Sequence, residues 1–263
     1  MVTTTTYVTL RGIRFAFSDE GSGSIVLNAH GLTSSRANDQ RMKLADFSPV
    51  AAAGHRLISY DARGHGESEG SRNSDDYAWN SLAEDMLALA DYFSPDAPVS
   101  AIGSSMGTGT LLHAATSTPD RFDRLVLTAP PTAWETRAAQ ADMYRQMADF
   151  VEANGLEALA QLSAGAPMPP VFADVEGFPP VPDVAPDLLP IVFRGAGGTD
   201  LPAIEAIATI TQPTLILAWA GDPGHPVSTS ERLAAAISGS QLHVSETSSD
   251  IRTWGARAAE FLH

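Results

Sequence analysis

Apolar residues recur along this chain in two rhythms, and the switch between them predicts the architecture. Five short segments are each built around a compact apolar stretch: Ile25 to Ala29, His55 to Tyr60, Val99 to Ile102, Arg124 to Thr128 and Pro213 to Trp219. Runs of this kind read as strands buried on both faces of a parallel sheet. Stretches with helical spacing lie between or after them. Arg36 to Ala53 reads as a helix broken near Ser48-Pro49 and closed by Gly54. Ser81 to Phe93 puts Leu82, Met86, Leu89 and Ala90 on one face, with Ser81 and Glu84 spaced as a capping box. Thr108 to Thr118 is stopped by Pro119, and Ser230 to Ile237 and Thr253 to Leu262 flank a last strand, Gln241 to Ser245. At the start, Thr6 to Phe17 is β-prone and interrupted by Arg11-Gly12, with the turn cluster Asp19 to Gly23 behind it; this predicts an antiparallel hairpin at the sheet edge.

The alternation stops at Thr132 and resumes near Pro213. Two helix-like pieces, Trp134 to Phe150 and Val151 to Leu162, precede a proline-dense run from Pro167 to Pro190. A loop-rich insertion of this size reads as a functional lid rather than a linker. The expected fold is therefore α/β: a mostly parallel central sheet flanked by helices, built from residues 1–131 and 206–263, with a cap insertion at 132–205 between strands 6 and 7. No internal repeat is present, and 263 residues with 44% hydrophobic content suit one core of this kind.

Charge and composition narrow the functions. A net charge of −15 repels phosphate backbones and anionic lipid surfaces, which argues against nucleic-acid and membrane partners. The absence of cysteine excludes disulfides, thiolate metal sites and a cysteine nucleophile. No run approaches the roughly 18 apolar residues of a membrane span, and Met1 to Thr6 lacks the basic and apolar regions of a signal peptide, so a cytoplasmic protein is expected. Nucleotide, flavin and metal-ligand spacings are missing, and no cofactor is expected.

One stretch carries chemistry. Gly103-Ser104-Ser105-Met106-Gly107 follows a strand and runs into a helix, the pattern Gly-x-Ser-x-Gly of a nucleophile elbow. The sharp turn strains the backbone at Ser105 and requires flanking positions without side chains, Gly103 and Gly107. The Met106 N–H then lies at a helix N-terminus, where donors are unpaired and the dipole favours negative charge.

With this elbow in place the chain resembles the α/β-hydrolase fold over nearly its whole length. His30-Gly31-Leu32 resembles the family's oxyanion loop, and Asp61-Ala62-Arg63-Gly64-His65-Gly66-Glu67-Ser68 its Asp-x-Arg-Gly-His-Gly-x-Ser loop. The resemblance implies Ser105 as nucleophile, the backbone N–H groups of Leu32 and Met106 as oxyanion hole, and Asp222 in Ala-Gly-Asp-Pro as the triad acid. A serine rather than an aspartate at the elbow points to acyl chemistry instead of dehalogenation or epoxide opening.

The resemblance fails at the base. The family places a histidine a few residues after the last strand, near Ser248, Ser249 or Asp250, and none is there. His225, three residues after Asp222 on a loop at the strand ends, is the best candidate. His243 alternates with Leu242 and Val244 inside a strand and reads as structural. His30 lies on the oxyanion loop, where it either lines the substrate site or orders the loop, and His65 reads as structural. Asp222 and His225 at i and i+3 have restricted geometry, so Asp250 is an alternative orienting acid. Asp61 reads as a structural partner of Arg63.

Two function classes follow. One is a serine hydrolase that cleaves a small or medium carboxylic ester, thioester or lactone through an acyl-enzyme, with Met143, Met147, Phe150, Leu159, Met168, Phe172, Phe178 and Phe193 of the insertion lining an acyl pocket. The other is a non-hydrolytic relative, a lyase, cyclase or ligand-binding receptor, that has lost the usual triad histidine.

Overall fold

The computed structural model of the chain describes residues 4–165 and 167–263. Its centre is an eight-stranded sheet in the order β1-β2-β4-β3-β5-β6-β7-β8. The strands are β1 Thr6–Leu10, β2 Ile13–Gly21, β3 Ile25–Ala29, β4 Arg56–Tyr60, β5 Val99–Ser104, β6 Phe122–Thr128, β7 Thr214–Trp219 and β8 Gln241–Ser245. β1, β2 and β4 pair antiparallel, and β4 through β8 run parallel, as the apolar runs predict. Successive residues of the inner strands serve opposite layers. On β6, Leu125 and Leu127 pack into one core while Val126 packs into the other. This explains why these strands read as continuous apolar runs rather than alternating ones.

The helices are α1 Arg36–Met42, α2 Ser48–Ala52, α3 Trp79–Phe93, α4 Met106–Ser117, α5 Arg137–Ala164, α6 Leu189–Gly197, α7 Ile204–Ile207, α8 Val227–Ala236, α9 Ser248–Ile251 and α10 Trp254–Leu262. α3, α4 and residues of α7 and α8 cover one face of the sheet, and α2 and α10 cover the other. The excursion between β6 and β7 carries α5 and α6, which pack on each other around Ala148, Val151, Leu159, Val192 and Phe193. No helix among the described residues is long and apolar enough to cross a membrane.

Strand order places the site. The chain crosses from β3 outward to β4, then returns past β3 to β5. The loops leaving β3 and β5 therefore diverge at a point of reversal, the usual location of a ligand crevice in an open α/β sheet. The loop after β3 contains His30-Gly31-Leu32, and the turn after β5 is Ser105.

Several local expectations are corrected. α3 begins at Trp79, not at a Ser81 cap; the Ser81 hydroxyl donates to the Asp75 carbonyl and Glu84 pairs with Arg11, so neither closes a capping box. The first helical stretch breaks at Lys43, in the left-handed region, and Pro49 instead opens α2, where its missing N–H costs nothing. The two helices expected in the excursion divide at Gly155 (φ 81°, ψ 175°) rather than after Phe150. A glycine kink is invisible to a reading based on apolar spacing.

Candidate active site

A single residue, Ser105, turns the chain from β5 into α4, with φ 50° and ψ −105°. Such a conformation costs a non-glycine residue about 1–3 kcal/mol and persists only when its surroundings enforce it. Here they do. The Ser105 N–H donates to the Thr128 carbonyl at 3.0 Å, and the Thr108 hydroxyl bridges the carbonyls of Gly103 and Thr128 at 2.7 and 2.8 Å. A Cβ on Gly103 would lie 2.3 Å from the Gly107 carbonyl oxygen, and one on Gly107 would lie 2.3 Å from that of Ala29. Both glycines are therefore demanded by contact.

The loop after β3 approaches the serine from the other side. A Cβ on Gly31 would be 3.5 Å from that of Ser105. Among the described residues, the N–H groups of Leu32 and Met106 have no acceptor within the chain, as expected of donors at a loop and a helix N-terminus. His30 is buried beneath them. Its Nδ1–H donates to the Gly31 carbonyl at 2.8 Å and its Nε2 accepts the Ala62 N–H at 2.9 Å. Both ring nitrogens are thus taken by backbone, which orders the loop. A strap from the excursion adds to this: the Asp183 N–H donates to the Thr33 carbonyl at 2.8 Å, and its carbonyl accepts the Gly66 N–H at 2.8 Å.

Asp61 is not the partner of Arg63. Its carboxylate accepts the Arg36 N–H and Nη2 at 2.9 and 3.1 Å, and lies 2.5 Å from where a Gly66 Cβ would be. Arg63 turns the other way and pairs with buried Asp85 of α3 through Nε and Nη2, at 2.9 and 2.7 Å. Sequence adjacency misled here, because the loop curls around Asp61 and points Arg63 at the helix.

Ser105, His225 and Asp222 form one hydrogen-bonded chain. His225 Nε2 is 2.8 Å from Ser105 Oγ, and His225 Nδ1 is 2.6 Å from Asp222 Oδ2. A carboxylate only accepts, so Nδ1 carries the proton and Nε2 offers its lone pair to the serine hydroxyl. The restricted i, i+3 spacing is met by the turn itself. Gly221 adopts φ 82°, the Gly224 N–H donates to Asp222 Oδ1 at 2.8 Å, and the His225 N–H donates to the Asp222 carbonyl at 3.1 Å. Trp219, the last residue of β7, donates its indole N–H to Asp222 Oδ2 at 3.1 Å. Burial raises the Asp222 carboxyl pKa, but the hydrogen bond and charge of His225, with the Gly224 and Trp219 donors, outweigh it and hold the group below its ordinary value.

The alternative acid lies elsewhere. Asp250 accepts from His243 Nε2 at 2.7 Å and from Arg257, and Ser248, in the slot where the resemblance expects a histidine, donates to Asp174 at 2.7 Å. The proposed acyl-pocket residues divide. Met143 and Met168 are exposed, Leu159 and Phe193 belong to the core of the excursion, and Phe172 and Phe178 stack beside Trp219. Met147 and Phe150 are partly buried on the cluster that also contacts Leu32. Sequence reasoning missed Trp219, Asp85 and Asp183; an indole placed just before Gly221-Asp222 was the one visible signal.

Comparison with known proteins agrees with the fold. Residues 24–251 match the family model of the alpha/beta hydrolase fold, and the chain belongs to that family. It is 30% identical over 202 residues to 3-oxoadipate enol-lactonase 2 of Acinetobacter baylyi, a match that covers 73% of this chain and 71% of the relative. It is 28% identical over 162 residues to a putative 2-succinyl-6-hydroxy-2,4-cyclohexadiene-1-carboxylate synthase of Bacillus subtilis, covering 60% of this chain and 57% of the relative, so it spans little more than half that protein. A hydrolase from Pseudomonas aeruginosa shares the fold with a TM-score of 0.80 at 24% identity, covering 100% of this chain and 99% of the other.

Proposed function

We propose that this α/β hydrolase is a serine hydrolase of small or medium carboxylic esters or lactones. The observation that carries the reading is the unbroken chain from Asp222 through His225 to the strained Ser105 at the head of α4. In the reaction, His225 Nε2 takes the Ser105 proton as Oγ bonds to the substrate carbonyl carbon. The carbonyl oxygen becomes an oxyanion and is held by the N–H groups of Leu32 and Met106. Collapse of this intermediate breaks the bond to the alkoxide, which receives the proton from His225 and leaves. Water then repeats the sequence on the acyl-Ser105 ester, losing its proton to His225 and releasing the acid. The excursion serves as a cap, and its apolar cluster beside Leu32 supplies the acyl side of the pocket. The lactonase relative supports including cyclic esters among the substrates.

The test is hydrolysis of p-nitrophenyl acetate and butyrate by wild type, Ser105→Ala and His225→Ala, with folding checked by circular dichroism. Turnover that disappears in both variants supports the reading. A folded wild type no faster than Ser105→Ala overturns it and favours the second reading, a non-hydrolytic enzyme, to which the synthase relative lends weight.

A further inference from the structure

The residues oriented by the turn after β7 include one that no role has yet absorbed. Trp219 closes β7, and two of its contacts converge on the site. Its indole N–H donates to Asp222 Oδ2 at 3.1 Å, the same oxygen that accepts His225 Nδ1–H at 2.6 Å. Its ring meets the His225 imidazole edge to face, with centroids 5.2 Å apart and planes at 76°. Behind it, the indole stacks on buried Trp254 at 5.5 Å and 9°, and meets Phe172 edge to face at 5.0 Å. Trp219 is therefore fixed by the core on one side and touches both members of the acid–base pair on the other.

We infer that Trp219 is a positioning residue for the Asp222–His225 pair, a proposal that rests on the hydrolase reading above. The physical need is specific to this chain. Acid and base share one short turn, so no second loop comes in to orient the carboxylate, and the Gly224 N–H holds only Oδ1. The indole N–H fixes Oδ2 in the plane the imidazole requires, and the ring edge limits rotation of that imidazole. A hydrogen bond donated to a carboxylate also spreads its charge, so the carboxylate stabilises the neighbouring imidazolium less. Removing the donor leaves Oδ2 with His225 alone, and the imidazole becomes more basic. Among the described residues, the polar groups near this pair include the Ser105 hydroxyl and, from α5, Gln140 and Tyr144, whose phenol senses the Asp222 charge and is hydrogen-bonded to Gln140 and to the cation Arg137; burial raises the pKa of that phenol and leaves it neutral.

The experiment compares wild type with Trp219→Phe, which keeps an aromatic ring and deletes the N–H. Trp254→Phe is the control, since it weakens the same stack without touching Asp222. For Trp219→Phe the expected result is a kcat lower by about tenfold with KM within about twofold, the scale of one hydrogen bond to a charged group. The acid limb of its kcat/KM profile should move up, whereas Trp254→Phe should lose thermal stability with the limb unmoved. NMR titration of the His225 ring in isotope-labelled protein reads the same upward shift without turnover. It therefore separates failure of this proposal from failure of the hydrolase reading, which Ser105→Ala tests. An imidazole titration identical in wild type and Trp219→Phe overturns the positioning role. Should Trp219→Phe not fold, benzothienylalanine at position 219 preserves the ring shape without the N–H, and the same two outcomes apply.

Discussion

Two histidine–aspartate pairs stand at adjacent strands of this sheet, and their contrast shows what makes a site. His225 and Asp222 follow β7 and meet at 2.6 Å, while His243 of β8 meets Asp250 at 2.7 Å. All four side chains are partly exposed, and both carboxyls are held below the ordinary value. For Asp250, burial again raises the pKa, and the hydrogen bonds from His243, Ser245 and Arg257 outweigh it. The pairs differ at the far side of the ring. His225 projects from a loop at the strand end and reaches Ser105, whereas His243 lies within β8 opposite Leu217, in a groove with Arg124 and Arg257. A side chain inside a strand stands normal to the sheet and cannot reach over its end. Contact with the strained Ser105, not the pair itself, distinguishes the first.

The largest expected effect breaks the first pair from its serine. Ser105→Ala and His225→Ala should each lower kcat for p-nitrophenyl butyrate by about 10³–10⁴-fold, and the double variant should be little worse than either single one, because the groups act as a unit. Additive losses in steady-state kinetics would show that the two residues work separately. Gly107→Ala attacks the same contact through the backbone. Its Cβ would lie 2.3 Å from the Ala29 carbonyl oxygen, so β3 and α4 must separate. A destabilisation on the order of 4 kcal/mol is expected in urea unfolding, the range of severe backbone or packing clashes. A variant of wild-type stability would mean that the elbow tolerates a side chain.

A third histidine sharpens the contrast, because among the described residues it makes no hydrogen bond to a carboxylate. His65 is fully buried, its Nδ1–H donates to the Arg63 carbonyl at 2.9 Å, and its ring lies 5.2 Å from that of His30. Burial, and then the nearby His30, push its pKa down to about 3. The unfolded chain binds a proton at this residue below its ordinary pKa of about 6.5, while the folded chain does not until about pH 3. More protons on the unfolded state mean that stability falls as pH drops across that window, by on the order of 5 kcal/mol in total. Urea midpoints from pH 7 to pH 4 should fall more steeply for wild type than for His65→Gln. Parallel slopes would show that His65 becomes protonated while folded.

These comparisons also separate what the residue pattern reveals from what it hides. Strands, their parallel packing and the glycine requirements at Gly103 and Gly107 follow from local rules, because apolar runs and close backbone contacts leave direct marks in the residues. The encounter of Asp222 with His225 depended on a turn whose geometry comes from Gly221 at φ 82° and the Gly224 N–H on Oδ1. Spacing alone made that encounter look awkward. Asp61 pairs with Arg36 across 25 positions rather than with its neighbour Arg63, and Asp183 reaches back to Thr33. Such pairings are decided by the tertiary path of loops, on which hydrophobic periodicity is silent.

The smallest expected effect falls on the second pair. His243→Ala removes an imidazole that touches Asp250 but does not contact Ser105, and Arg257 remains to compensate that carboxylate at 3.2 Å. Pairs this accessible are worth roughly 0–1 kcal/mol after solvent screening. Its urea midpoint should therefore move slightly, and kcat and KM for p-nitrophenyl butyrate should stay within about twofold of wild type, a difference under about half a kcal/mol. A loss comparable with that of His225→Ala would place the working base on β8 and reverse the assignment of the two pairs. Unchanged kinetics would show that an acid-paired histidine one strand away, with nearly the same hydrogen bond, contributes nothing to turnover because it faces no serine.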